Sequence, residues 1–171
     1  MTILNLGSGA HPLPNADNLD KENGWTFESG LGDYADESVE GVSVSHSLMH
    51  VALRDWPYVF SEFARVLEPG GVIRITEDAT DDPKSERYGG FHDAVTLTSL
   101  SLVLEHLNRA GFLAHKTEAG ISIFRDDSLI QQWHGREPKV FFAEGQKGGG
   151  GAGDRVTLGG PPSLELGAEA E

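Results

Sequence analysis

The chain has no cysteine among its 171 residues. Disulfides and thiolate metal sites are thereby excluded, and a reducing interior is the plain reading. Long apolar runs are missing too, since none approaches the roughly 20 residues that a membrane span needs. The first strand-like stretch follows Met1 almost directly, which leaves no room for a signal peptide. A soluble, cytoplasmic protein without membrane partners is expected. Basic residues are scarce: 13 Lys and Arg stand against 27 Asp and Glu, a net charge of -14. Two of those basic and four of those acidic side chains lie in residues 145–171, which leaves -12 on the rest. So negative a surface repels phosphate backbones, and the nearest thing to a basic patch is Lys84 and Arg87 with Tyr88. Nucleic acid is disfavoured as a partner.

What is present suffices for one core, with 38% of residues hydrophobic. One folded domain over residues 1–147 is expected. Residues 148–171, with Gly148 to Gly151, Gly159-Gly160-Pro161-Pro162 and an acidic end, read as a Gly-rich tail with little fixed structure.

The chain opens with an apolar strand, Thr2 to Leu6, that runs into Gly7-Ser8-Gly9, and Asp20 follows at the end of a second short strand, Ala16 to Asp20. A strand entering Gly-x-Gly with an acidic residue after the next strand is how a nucleotide-binding α/β sheet begins. Glycine there lets the backbone turn sharply and approach a ligand. Pro12 and Pro14 then break any regular helix and with it the dinucleotide version, which needs a third glycine in a helix that meets a pyrophosphate. That argues against a nicotinamide oxidoreductase. Trp25 to Glu28 reads as a third strand, with too few residues before it for a crossover helix. Gly41 to Ser45 is a β-branched central strand leading into His46-Ser47-Leu48-Met49-His50, whose two histidines are spaced to share a helix face. A zinc site on that pair is disfavoured, because Ser47 stands where the metalloprotease motif has Glu.

Asp55 reads as the cap of a helix with Trp56, Val59, Phe60, Phe63, Val66 and Leu67 on one face. Pro69-Gly70-Gly71 turns the chain into a strand, Val72 to Thr76, that closes on Glu77-Asp78, completing a parallel strand–helix–strand unit. Leu97, Leu100, Val103, Leu104 and Leu107 form a second helical stripe with Thr96 or Thr98 as cap and Gly111 as terminator. Leu113 to Glu118, Ile121 to Phe124 and Val140 to Glu144 read as strands.

In that order, Leu4-Asn5-Leu6-Gly7-Ser8-Gly9, Asp20, Tyr34-x-Asp36-x-Ser38-Val39, Ser45-His46-Ser47-Leu48-x-His50-Val51 and Glu62-x-x-Arg65-Val66-Leu67-x-Pro69-Gly70-Gly71 resemble the S-adenosylmethionine-dependent methyltransferases of the Rossmann-like class. The likeness is to a compact subgroup that lacks the early helix, and it runs from residue 3 to about 147, its ending resembling Arg136-Glu137-Pro138 before Phe141-Phe142-Ala143-Glu144. The resemblance implies an α/β fold: a mostly parallel sheet with its last strand antiparallel, abbreviated at the second/third-strand edge. It implies S-adenosylmethionine as cofactor and S-adenosylhomocysteine as product. Leu6, Gly7, Ser8 and Gly9 would run beneath the methionine portion, Asp20 would bind the ribose hydroxyls, Glu28 would lie by the adenine, and Ser45 would border cofactor and substrate.

Sulfonium chemistry needs positioning more than a strong acid or base. Where a hydroxyl or amine acceptor must lose a proton, His46 is the first candidate, with His50, Asp78, Arg87, Tyr88 and His92 around the substrate. Met49 replaces the Glu that many relatives carry there, which leaves a catalytically inactive cofactor-binding or scaffold protein as the alternative. The acceptor is unidentified; a small molecule or sugar fits better than nucleic acid. A homodimer is a possible way to complete the site.

Overall fold

The computed structural model describes residues 2–79, 95–130 and 140–149. Period-two apolar patterning gives six strands in one sheet: β1 (Ile3–Leu6), β2 (Asp17–Leu19), β3 (Val39–Ser45), β4 (Leu67–Asp78), β5 (Phe112–Thr117) and β6 (Val140–Lys147). Their spatial order is β2-β1-β3-β4-β6-β5. The first four strands in that row pair in parallel, and β6 inserts antiparallel to both β4 and β5. Two helices, α1 (Trp56–Val66) and α2 (Leu100–Arg109), connect β3 to β4 and β4 to β5.

The two faces of the sheet differ in chemistry. One register row runs Leu6, Val44, Ile75, Ala143 and the next Leu4, Val42, Ile73, Gly145. These side chains enter one buried cluster with Trp56, Val59, Phe60 and Phe63 of α1 and Val103 and Leu107 of α2. The row between them points the other way and is polar from edge to edge: Asn18, Asn5, Ser43, Arg74, Glu144, His115. Residues 118–127 lie over that row, helped by Gly41, where a Cβ would come within 2.6 Å of the Phe124 ring. Arg74 reaches Asp127 of this segment in a buried ion pair, donates to the Glu118 carbonyl at 3.0 Å and pairs with Glu144 at 2.6 Å. The Arg74 guanidinium also stacks over Phe142, 5.2 Å from the ring centre.

Several expectations are corrected. The third strand at Trp25 to Glu28 is absent: Trp25 Nε1 donates to the Gly30 carbonyl, and residues Phe27–Ser29 form a single 3-10 turn. Gly24 and Gly30, at φ 86° and 73°, turn the segment back on itself, so it offers no edge to β2. Among the described strands the sheet therefore ends at β2. Ile121 to Phe124 is not a strand either, and contributes one bridge, Ile121 to Asp126. Pro69-Gly70-Gly71 does not separate helix from strand but bulges within β4, whose register jumps from Val39–Leu67 to Gly41–Val72. Asp55 sits at the cap position of α1 without a capping bond from its side chain. Ser99, not Thr96 or Thr98, caps α2 by accepting from Leu102 N–H; the two threonines donate to the Val51 and Asp78 carbonyls.

Two of the stretches that carry the resemblance form a clasp. Arg65 donates to Asp36 Oδ1 at 2.8 Å and to the carbonyls of Tyr34 and Leu31, while Glu62 Oε2 accepts from Leu31 N–H at 2.8 Å. These residues tie the loop before β3 to α1, which is a structural duty.

Candidate active site

The carboxyl ends of β1, β2 and β3 open into a cleft of about 580 Å³. Its wall brings together Gly7, Gly9, Asp20, Glu28, His46 and His50, residues from four separate stretches of the sequence. At Gly7 a side chain is impossible: φ is +68°, and a Cβ would lie 2.1 Å from Ser47 Oγ. The space at Gly9, φ +49°, is open. Leu6 is fully buried in the core, so any part it plays at the loop is through its main chain.

Asp20 is held by local donors. Ser8 Oγ donates to Oδ2 at 3.0 Å, and the N–H groups of Glu22 and Asn23 donate to Oδ1 at 2.9 and 3.2 Å. Desolvation pushes this carboxyl up, but the Ser8 hydroxyl and the Asn23, Glu22 and Gly9 N–H groups outweigh it and hold it below its usual value. Asp20 is thus a fixed carboxylate at neutral pH. A carboxylate has about four lone-pair positions, so a diol still finds acceptors there. Glu28, on the short 3-10 turn, is exposed along the cleft wall.

His46 is not the first residue of a helix. It has φ +51°, a left-handed backbone that non-glycine residues seldom adopt and that clusters at functional sites. The single turn Leu48–His50 begins after it, so the two histidines do not share a helix face, although both border the cleft. Among the described residues no group of three or more His, Asp or Glu is placed to hold a metal. His46 Nδ1 lies 3.0 Å from Ser45 Oγ and Nε2 lies 3.8 Å from Asp78 Oδ1, with both side chains largely buried. Asp78 therefore stands behind His46 rather than at the open mouth. His50 is exposed. Arg87, Tyr88 and His92 lie outside the described residues.

Glu77 is the residue that sequence reasoning passed over. It is 0% exposed, and its Oε1 accepts from Ser47 N–H at 2.9 Å and Leu48 N–H at 2.8 Å, which pins the turn that carries His46. Burial pushes this carboxyl up to about 8; the Leu48 and Ser47 N–H groups oppose that, and Asp78 adds to it. The signal was available, because period two along Ile73, Ile75, Glu77 sends this side chain toward the helices.

A cleft above the carboxyl ends of parallel strands, at a glycine loop with a fixed carboxylate beside it, suits a nucleoside-bearing ligand. Residues 16–75 match the family model described as methyltransferase domain. That match spans about a third of the chain, and the six-stranded sheet has the Rossmann-like methyltransferase fold. Solved structures share its fold. A SAM-dependent methyltransferase from Archaeoglobus fulgidus is 11% identical with a TM-score of 0.61, over 85% of this chain and 86% of that one. The YcgJ protein of Bacillus subtilis is 16% identical with a TM-score of 0.59, over 87% and 92%. Phosphoethanolamine N-methyltransferase 2 of Haemonchus contortus, solved with S-adenosyl-L-methionine, is 15% identical with a TM-score of 0.58, over 86% of this chain and 48% of that one. No curated protein matches the chain. The resemblance implies S-adenosylmethionine as the cofactor. The cleft fits it in kind: a loop stripped of side chains, an anchored carboxylate for hydroxyl groups, and an aromatic wall at Trp25 and Phe27. No described helix is long and apolar enough to cross a membrane.

Proposed function

We propose that this chain moves a methyl group from S-adenosylmethionine to a small-molecule or sugar acceptor. The convergence of Gly7, Gly9, Asp20, Glu28, His46 and His50 on one cleft carries the reading. When bound, the cofactor supplies the activated methyl group. The glycine loop admits its methionine portion, Asp20 accepts from its ribose hydroxyls, and Glu28 lies along the adenine side. Ser45 and His46, at the end of β3, border both cofactor and acceptor. His46 takes the acceptor's proton, with Ser45 Oγ at Nδ1 fixing its ring and Asp78 favouring the charged form that results. His50 completes the acceptor side of the cleft, and Arg87, Tyr88 and His92 are assigned to it on their place in the sequence alone. An acidic mouth, with Asp20, Glu22 and Glu28 against Lys21, supports a neutral or cationic acceptor over a polyphosphate.

Thermal unfolding with S-adenosylmethionine, S-adenosylhomocysteine and NAD tests the cofactor. Either sulfur nucleotide at 100 times its dissociation constant should stabilise the chain by about 2.7 kcal/mol, and NAD should not. No shift with either compound sinks the reading. Mass spectrometry of molecules released from the purified protein on denaturation would identify a retained acceptor. On that acceptor, His46→Ala should slow turnover by about 10²- to 10⁴-fold while S-adenosylhomocysteine binding holds; full turnover removes His46 as the base.

A further inference from the structure

Ser47 stands where two stretches of the cleft wall meet. It follows His46 directly and is buried, yet its side chain packs on Gly7, 40 positions away in the sequence. Its Oγ donates to the Ser45 carbonyl at 2.8 Å and to the Gly7 carbonyl at 3.2 Å. A hydroxyl has one hydrogen, so the ends of β1 and β3 share it. Gly7 is also held from the β2 side, where its N–H donates to the Leu19 carbonyl at 2.7 Å. The missing Cβ at Gly7 thus serves packing as well as ligand approach, because the Ser47 side chain occupies that space.

The main chain of Ser47 is fixed from a third strand. Its N–H and that of Leu48 converge on Oε1 of Glu77 in β4, while the His46 N–H donates to the Thr76 carbonyl at 2.8 Å. The second oxygen of Glu77, Oε2, is buried without a hydrogen-bond partner among the described residues, and Glu77 does not line the cleft. A left-handed backbone such as that of His46 persists only where its surroundings over-determine it. Two buried N–H groups tied to one carboxyl, with a carbonyl holding the residue before them, supply that constraint.

Glu77, Ser47 and Gly7 therefore form a continuous line from the packed side of the sheet to the glycine loop, with His46 attached beside its middle member. We propose that Ser47 is a positioning residue: anchored by Glu77, it holds the glycine loop in register with the turn that carries His46. The assignment rests on the cofactor reading above. Its consequence is a coupling, since a loop that adjusts to a ligand draws Ser47 with it and so changes what Glu77 feels. By linkage the effect is reciprocal.

Carbon NMR of the full chain with labelled glutamate carboxyls tests this without an acceptor, the Glu77 signal being assigned by its loss in Glu77→Gln. Glu77 is 0% exposed, so a ligand in the cleft reaches its carboxyl only through the residues between them. Saturating S-adenosylhomocysteine should move the Glu77 signal in the parent. In Ser47→Ala the signal should stay in place, and calorimetry should show affinity lower by about 5- to 10-fold, the worth of one hydrogen bond. Should that variant fail to fold, Ser47→Cys, with a weaker donor of similar shape, takes its place with an intermediate movement expected. A signal that stays put in the parent although calorimetry shows binding, or that moves as far in the variant as in the parent, overturns the assignment. If S-adenosylhomocysteine does not bind the parent at all, the cofactor reading falls and takes the assignment with it.

Discussion

The two faces of this sheet are buried by opposite means. On one, Leu4, Leu6, Val42, Val44, Ile73 and Ile75 lie beneath two amphipathic helices in an apolar core. On the other, Asn5, Ser43 and Arg74 lie beneath an irregular segment held by hydrogen bonds and an ion pair. The first arrangement is stabilised by area removed from water and tolerates imperfect geometry. The second depends on each partner being present, since a buried polar group left unpaired costs more than its bond contributes. Polar residues and the ten-residue stretch 118–127 can thus cover a sheet face through paired contacts alone.

Four experiments press on this contrast. The largest effect is expected on the apolar side, where Phe60 is fully buried with its ring centre 5.5 Å from that of Trp56. Phe60→Ala should cost about 3–5 kcal/mol in urea unfolding. On the polar side, Arg74→Met strands the buried Asp127 and should cost about 3 kcal/mol. Adding Asp127→Asn should recover at least half of that, whereas no second substitution of a core neighbour should rescue Phe60→Ala. If the double variant is as unstable as the single one, the face is not held by pairing.

Glu77 offers a finer probe, as an ionisable group on the apolar side. Its folded value, about 8, lies above the ordinary 4.5, so the folded state binds the extra proton between those values. Stability from this group is therefore full below about pH 4.5 and is lost as pH rises toward 8, with a slope of at most about 1.4 kcal/mol per pH unit. Glu77→Gln should flatten the stability profile across that window. A slope equal to the parent's would locate the titration elsewhere. Smallest of all, Glu105→Ala removes an exposed ion pair with Arg109 and should change stability by less than about 0.5 kcal/mol.

Much of the apolar side was readable from the sequence because its signals are local. Three- and four-residue spacing marked α1 and α2, and strand, Gly-x-Gly and Asp20 fall within one short stretch. The polar side was not readable, because its partners are far apart: Arg74 and Asp127 are separated by 53 residues, Arg125 and Asn5 by 120. Nothing in the local pattern of residues 118–127 marks it as a cover, and Ile121 to Phe124 looks like a strand when read alone. The clasp between Arg65 and Asp36 shows a related limit. Those residues carry part of the family resemblance, yet their contacts are structural, between positions 29 residues apart. At the site, the glycine loop and Asp20 are legible in their spacing and His46 in its place after the β3 strand, but the left-handed turn of His46 and the buried carboxyl that pins it require the packed chain.

The position of β6 also bears on how the chain acquires this shape. It is the last of the described strands in sequence, yet it lies between β4 and β5, and β5 pairs with no other described strand. During synthesis, β1 to β4 and α1 can assemble as they emerge, while β4 keeps an open edge and β5 waits unpaired. The sheet closes in one late step, when residues 140–147 leave the ribosome and slot between strands made earlier. Until then the growing chain exposes two edges with unmade hydrogen bonds, and that interval is when it is most open to pairing with a neighbouring chain.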